Sequence, residues 1–216
     1  MIEISKNPWI LIILIFFELL LIIIPALIAS KIEKLTFKEE LIEMGFKKNE
    51  DRLKILSLKI TAGLEFGFIF YLTAGYLIFV FKYLIIENIF GSTFVKEAEK
   101  GTINTTPLQP NLAQLIIIII LQLIIVGPCE EGFFRGFILK RCENKVKSIY
   151  AILISSFFFA IYHTPPLLVS LATIITYFSY YFVFGLLLAL IFKFFKNSLI
   201  PCSIAHSFFN ILIILF

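Results

Sequence analysis

Residues 115–126 read LIIIIILQLIIV, and residues 127–136 continue as GPCEEGFFRG. Twelve residues, all aliphatic except Gln122, run straight into two adjacent carboxylates, Glu130 and Glu131, and a guanidinium, Arg135. On insertion scales a charged side chain at the centre of a membrane costs at least about 2.5 kcal/mol. Three ionisable groups within six residues therefore point to a site rather than to chance.

The rest of the chain says that hydrocarbon is the solvent there. Of 216 residues, 60% are hydrophobic and 16% are charged, and the mean hydropathy is +0.98. These values exclude an ordinary soluble domain. The 26 phenylalanines and long Ile/Leu runs suit helices facing lipid, and the roughly ten-residue alternation of a membrane barrel is missing. The fold class is all-α: a polytopic helical membrane protein with about six transmembrane helices and a cytoplasmic amphipathic segment. Cys129, Cys142 and Cys202 are odd in number and lack CxxC spacing, so they read as free thiols. Residues 8–29 exceed a signal-peptide core and precede no small-residue cleavage pattern, so they read as a retained span.

Taken in order, residues 1–7 form a polar start, and Pro8-Trp9 suits a helix beginning at the interface. Glu18, inside the first span, is expected to pair with a neighbouring helix and receives no chemical role. Residues 31–59 carry eight cations and six anions around Leu35, Phe37, Leu41, Ile42 and Phe46. This pattern predicts one or two amphipathic helices on the membrane surface. The two signs nearly cancel, which argues against a nucleic-acid partner. A second span covers residues 60–90, where Gly63, Gly67 and Gly75 permit close helix contact, and residues 91–111 form a polar loop.

The third span covers residues 112–139. At 1.5 Å per residue it would measure about 42 Å against a hydrocarbon core of roughly 30 Å. Gly127-Pro128 predicts a break, with a new helix start that places Glu130 and Glu131 in a favourable dipole. Spans at 148–163, 167–192 and 198–216 complete six. The first, third and fifth connections hold eight, four and two cations, against one, two and none for the amino terminus and the other two connections. The positive-inside rule then puts both termini outside and the basic loops in the cytoplasm of a prokaryotic-type plasma membrane.

Glu131 and Arg135 are four residues apart and so share a helix face, while Glu130 points about 100° away. One carboxylate can be held by arginine while the other stays free to act as a general base. The bland reading, a buried ion network joining helices, fits these three residues equally well. His163 and His206 are the only histidines. Phe159 lies one turn before His163, and Asn210 one turn after His206. Counted from the connecting turns, Glu130 and His163 fall at nearly the same depth, with His206 about one turn shallower. Three chemistries fit this set. Glu130 and His163 could activate water while His206 and Asn210 stabilise an oxyanion. Glu130, His163 and His206 could instead hold Zn²⁺, although HExxH is absent. Cys129 could be a nucleophile, but no histidine stands at a fixed spacing from it.

The ordered set Glu-Glu-x-x-x-Arg at 130–135, Phe-x-x-x-His at 159–163 and His-x-x-x-Asn at 206–210 resembles the CPBP intramembrane proteases. This family, also called ABI, includes the type II CAAX prenyl endopeptidases. The resemblance covers roughly residues 112–216, which become a catalytic helical core. Residues 1–111 become amino-terminal membrane helices with the amphipathic segment. It implies an intramembrane endopeptidase acting on a lipidated or apolar peptide in contact with membrane lipid. By the resemblance, Glu130 and His163 activate water, His206 and Asn210 stabilise the oxyanion, and Glu131, Arg135 and Phe159 support them. Members have been labelled metalloproteases. The glutamate mechanism requires no cofactor, and zinc is a possible ion for Glu130, His163 and His206. Two other classes stay open: a membrane scaffold or immunity protein of the same fold, and a proton-coupled transporter using the carboxylates and histidines as a relay.

Overall fold

The computed structural model describes residues 8–47, 51–100 and 110–216, and every regular element among them is helical. The polar start at residues 1–7, residues 48–50 and residues 101–109 of the expected loop lie outside the described residues. We number eight helices: α1 (Pro8–Glu33), α2 (Phe37–Glu43), α3 (Leu53–Phe90), α4 (Ser92–Lys100), α5 (Leu112–Glu143), α6 (Ser148–His163), α7 (Leu171–Phe194) and α8 (Leu199–Leu215).

Helices α1, α3, α5 and α7 are long and apolar enough to cross a membrane. Helices α6 and α8, of 16 and 17 residues, would span only about 24–26 Å at 1.5 Å per residue. The protein is thus an all-helical integral membrane protein with four helices long and apolar enough to span a membrane among the described residues, where about six spans were expected. Proline placement explains the short α6. Pro165 and Pro166 follow Thr164, the residue after His163, and the residue before a proline is driven out of the α region; Thr164 sits at φ −126°, ψ 63°.

Two expectations about the amino-terminal half are corrected. Part of the polar loop is helical: α4 buries Val95 and Ala98 at i and i+3, and the Ala98 carbonyl accepts a hydrogen bond from Thr173 Oγ1 at 2.9 Å. The segment 31–59 does not form separate surface helices throughout. Residues from Leu53 onward belong to α3, and α2 packs onto the end of α5. A capping box starts α2, with Thr36 Oγ1 accepting from the Glu39 amide at 3.2 Å and Glu39 Oε2 accepting from the Thr36 amide at 2.7 Å. The Thr36 hydrogen bonds hold the exposed Glu39 carboxyl below its ordinary value. Beyond α2, Met44 is fully buried. Arg141 grips Glu40 through both oxygens, at 2.8 and 2.9 Å, and reaches Glu33 at 2.9 Å. The Lys140 amine donates to the Glu43 carbonyl.

Helix α3 lies along α8. Gly63 and Gly67 admit Ile204, Phe208 and the Ala205 carbonyl, whereas Gly75 faces nothing within 4 Å. Two apolar clusters meet on α5. One joins Ile118, Leu121, Ile125 and Cys129 to Ile22 and Ala26 of α1. The other joins Phe134 to Phe159 of α6, Phe184 of α7 and Phe209 of α8. The charged stretch of α5 lies at the seam between them.

Gly136 tests how tightly α2 is seated, because a Cβ there would fall on the Met44 backbone carbonyl. Gly136→Ala is expected to cost about 1–3 kcal/mol, lowering the midpoint of thermal unfolding in detergent. Gly75→Ala, with open space around it, should leave the midpoint unchanged or raise it by the equivalent of about 0.5–1 kcal/mol.

Candidate active site

The helix carrying the carboxylates is not interrupted at Gly127-Pro128, so the expected break and its helix-start dipole are absent. Gly127 is helical at φ −58°, ψ −49°. The backbone widens into π-helical turns over Gln122–Val126 and again over Gly132–Leu139. Proline lacks an amide donor and crowds the carbonyl four residues back, and a widened turn ahead of it accommodates both defects. The Gly127 amide bonds to the Gln122 carbonyl, which also accepts from Ser207 Oγ at 2.7 Å. That joins α5 to α8. A Cβ at Gly127 would run into Ser207 Oγ and the Ser203 carbonyl, so only glycine lets the helices approach so closely.

Glu131 and Arg135 have no exposed surface. Arg135 Nη1 donates to Glu131 Oε1 at 3.0 Å, and Nη2 donates to the Gly185 carbonyl of α7 at 2.8 Å. The guanidinium also lies 4.7 Å from the centre of the Phe159 ring, a cation–π distance. His206 Nδ1 donates to the same Glu131 oxygen at 2.9 Å. That contact turns the opposite ring nitrogen, Nε2, toward Glu130 Oε2 at 3.8 Å.

His163 approaches from α6. Its Nδ1 donates to the Phe159 carbonyl at 2.9 Å, because a carbonyl can only accept. In the neutral ring the Nε2 lone pair then faces Glu130 Oε2, 3.6 Å away. Phe159 lies 4.2 Å from the His163 ring, and Tyr181 of α7 stacks on it at 4.8 Å. Glu130 is 4% exposed, and its Oε2 has no hydrogen-bond partner among the described residues. Ligand atoms from Glu130, His163 and His206 all lie within 4.8 Å of one another.

The fold therefore assembles Glu130, Glu131, Arg135, Phe159, His163 and His206 at one place. Asn210 sits further along α8, its Nδ2 donating to Gln122 Oε1 at 3.1 Å. The second N–H of that amide remains available. Cys129 packs among apolar residues of α1 and α5. Sequence reading missed Gln122 and Tyr181. Gln122 carried a signal, being the one polar residue in an aliphatic run. Tyr181 carried none, since an aromatic in an apolar helix looks like any other packing residue.

Carboxylates and imidazoles thus converge in the apolar interior of a helical membrane protein. Residues 112–212 match the family model described as Rce1-like, type II CAAX prenyl endopeptidase. This region is similar to that family, which suggests protease activity of the CAAX type. No curated protein and no solved structure matches the chain significantly.

Arg135 is the compensating charge for a carboxylate that has no water. Arg135→Met should destabilise the protein by about 3–5 kcal/mol, read as a lower unfolding midpoint in detergent. Adding Glu131→Gln should restore part of the loss. An Arg135→Met protein as stable as the wild type would show that the pair does not hold the bundle.

Proposed function

We propose that the protein is a glutamate-dependent intramembrane endopeptidase that cleaves a lipidated, CAAX-type or apolar membrane-associated peptide. The observation that supports this most directly is the single Glu130 oxygen lying 3.6 Å from His163 Nε2 and 3.8 Å from His206 Nε2 in a buried, aromatic-walled site. Water between Glu130 and His163 gives one hydrogen to the carboxylate and the other to the imidazole lone pair. As its oxygen attacks the peptide carbonyl, Glu130 accepts the proton and afterwards delivers it to the departing amine.

The negative charge developing on the carbonyl oxygen needs preorganised donors. His206 is suited to this as an Nε2–H donor, with Glu131 accepting from its Nδ1–H and fixing the ring. The free N–H of Asn210, oriented by Gln122, is the second donor. Arg135 and Phe159 are positioning residues in this scheme: the first keeps Glu131 in place, and the second provides both the carbonyl that orients His163 and a ring beneath it. The catalytic unit is the region 112–216. Its basic connections face the cytoplasm by the positive-inside rule.

A second reading has a specific observation in its favour. With both Nδ1 atoms engaged, neutral His163 and His206 and the carboxylate of Glu130 present three lone pairs toward one point. Zinc–histidine sites with engaged outer nitrogens have this character. Tetrahedral zinc bonds of about 2.0–2.1 Å place ligand atoms roughly 3.4 Å apart, against 3.6 and 3.8 Å for the two Glu130–histidine pairs and an outer bound of 4.8 Å for the set. Glu130, His163 and His206 fit Zn²⁺, which when bound would polarise water as a Lewis acid.

The deciding measurement is cleavage of a fluorogenic farnesylated CAAX peptide by the full chain in liposomes. Glu130→Ala is expected to lower kcat by about 10²–10⁴-fold, with a zinc chelator leaving the wild-type rate unchanged. Loss of turnover on chelation and recovery with Zn²⁺ would move the site to the metal class. An unaltered Glu130→Ala rate would sink both readings.

A further inference from the structure

Glu18 lies in α1, outside the residues that match the protease family, yet its carboxylate reaches the site. The backbone of α1 tightens there. Glu18 N bonds to the Ile15 carbonyl at 3.0 Å, Leu19 N to Phe16 at 3.3 Å and Leu21 N to Glu18 at 3.0 Å, the i→i−3 spacing of a 3₁₀ turn. Glu18 Oε1 accepts a hydrogen bond from the Tyr162 hydroxyl at 2.7 Å. Its other oxygen is buried and has no hydrogen-bond partner among the described residues. The group interacts electrostatically with Glu130, Cys129 and His206. A carboxylate present only to join two helices is best placed where both oxygens are satisfied, and Glu18 is not.

Tyr162 is the residue before His163, in the last turn of α6. Its ring meets His163 edge-on at 5.3 Å and Phe134 of α5 at 5.6 Å. Because His163 Nδ1 is bonded within its own helix, to Phe159, the imidazole moves with that turn. Its position relative to Glu130 is therefore set by what the turn is tied to. From α7 the tie is the Tyr181 stack, and from α1 it is the hydrogen bond between Glu18 and Tyr162.

We propose that Glu18 is a positioning residue of the active site, acting through the Tyr162 hydroxyl to hold His163 in register with Glu130. This rests on the protease reading above and extends it, since it makes α1 part of the working enzyme. A displacement near 1 Å is enough to cost an enzyme a large factor in rate. The effect should therefore appear in kcat rather than in substrate binding.

The test uses the full chain in liposomes, with kcat and KM on the farnesylated peptide for Glu18→Gln, Glu18→Leu, Tyr162→Phe and the double variant Glu18→Leu/Tyr162→Phe. Imidazole ¹⁵N spectra of histidine-labelled protein are recorded alongside, and they are simple because the chain has two histidines. Glu18→Leu and Tyr162→Phe are each expected to lower kcat about tenfold or more with KM nearly unchanged. The double variant should be no worse than either single one, and Glu18→Gln, which keeps an acceptor, should retain most of the activity. The His163 resonances should move in Tyr162→Phe while those of His206 stay. Wild-type kcat in Tyr162→Phe, multiplicative losses in the double variant, or an unmoved His163 spectrum would each overturn the proposal. If the wild type shows no turnover on the peptide, the protease reading loses that substrate, and the His163 spectrum alone decides whether Tyr162 and Glu18 position the ring.

Discussion

Glu131 has no access to water, and a carboxylate so placed must be compensated from within the protein. Its partners come from two helices: Arg135, one turn along α5, and His206 of α8. Arg135 spends its second arm on the Gly185 carbonyl of α7 and lays its guanidinium over Phe159 of α6. One buried negative charge thus draws on all four helices from α5 to α8. It also sets the tautomer of His206, because a carboxylate at Nδ1 keeps a proton there and leaves Nε2 to face Glu130.

The second constraint is the course of α5. Polar side chains at 122, 130, 131 and 135 must all meet partners on one side of an otherwise apolar helix, although the 3.6-residue period does not bring them to a common face unaided. The π-helical turns at Gln122–Val126 and Gly132–Leu139 flank the Glu130-Glu131 pair and change the angular spacing on both sides of it. They also let the helix pass Pro128 without a break. The Gln122 carbonyl and side chain are both used, the first by Gly127 and Ser207 and the second by Asn210. The site is therefore stitched to α8 along more than two turns.

The family match ends at the boundaries of residues 112–212, but the packing does not. Helix α1 and the α2 segment pack against α5, and Phe46 packs against both apolar clusters. Arg141 gathers Glu33 and Glu40 at the end of α5, so oppositely charged groups that would read as a solvated surface segment become the clasp of a docked one.

The sequence by itself determined the class. Apolar length and composition require helices in lipid, and the ordered Glu-Glu, Arg, His and His-Asn positions marked α5, α6 and α8 as the helices of the candidate site. These features are local: hydropathy, i to i+4 spacing and the depth of a residue from a turn can all be counted along the chain. Which oxygen faces which nitrogen was decided by tertiary structure alone, since His206 meets Glu131 across 75 residues and the rotation of one helix against another is set by side-chain packing. The unbroken helix at Gly127-Pro128 belongs there too. Proline's penalty is local, but a π-helical turn held by Ser207 of α8 relieves it. The docking of α2 and the reach of Glu18 to Tyr162 depend on long-range partners that no spacing along the chain announces.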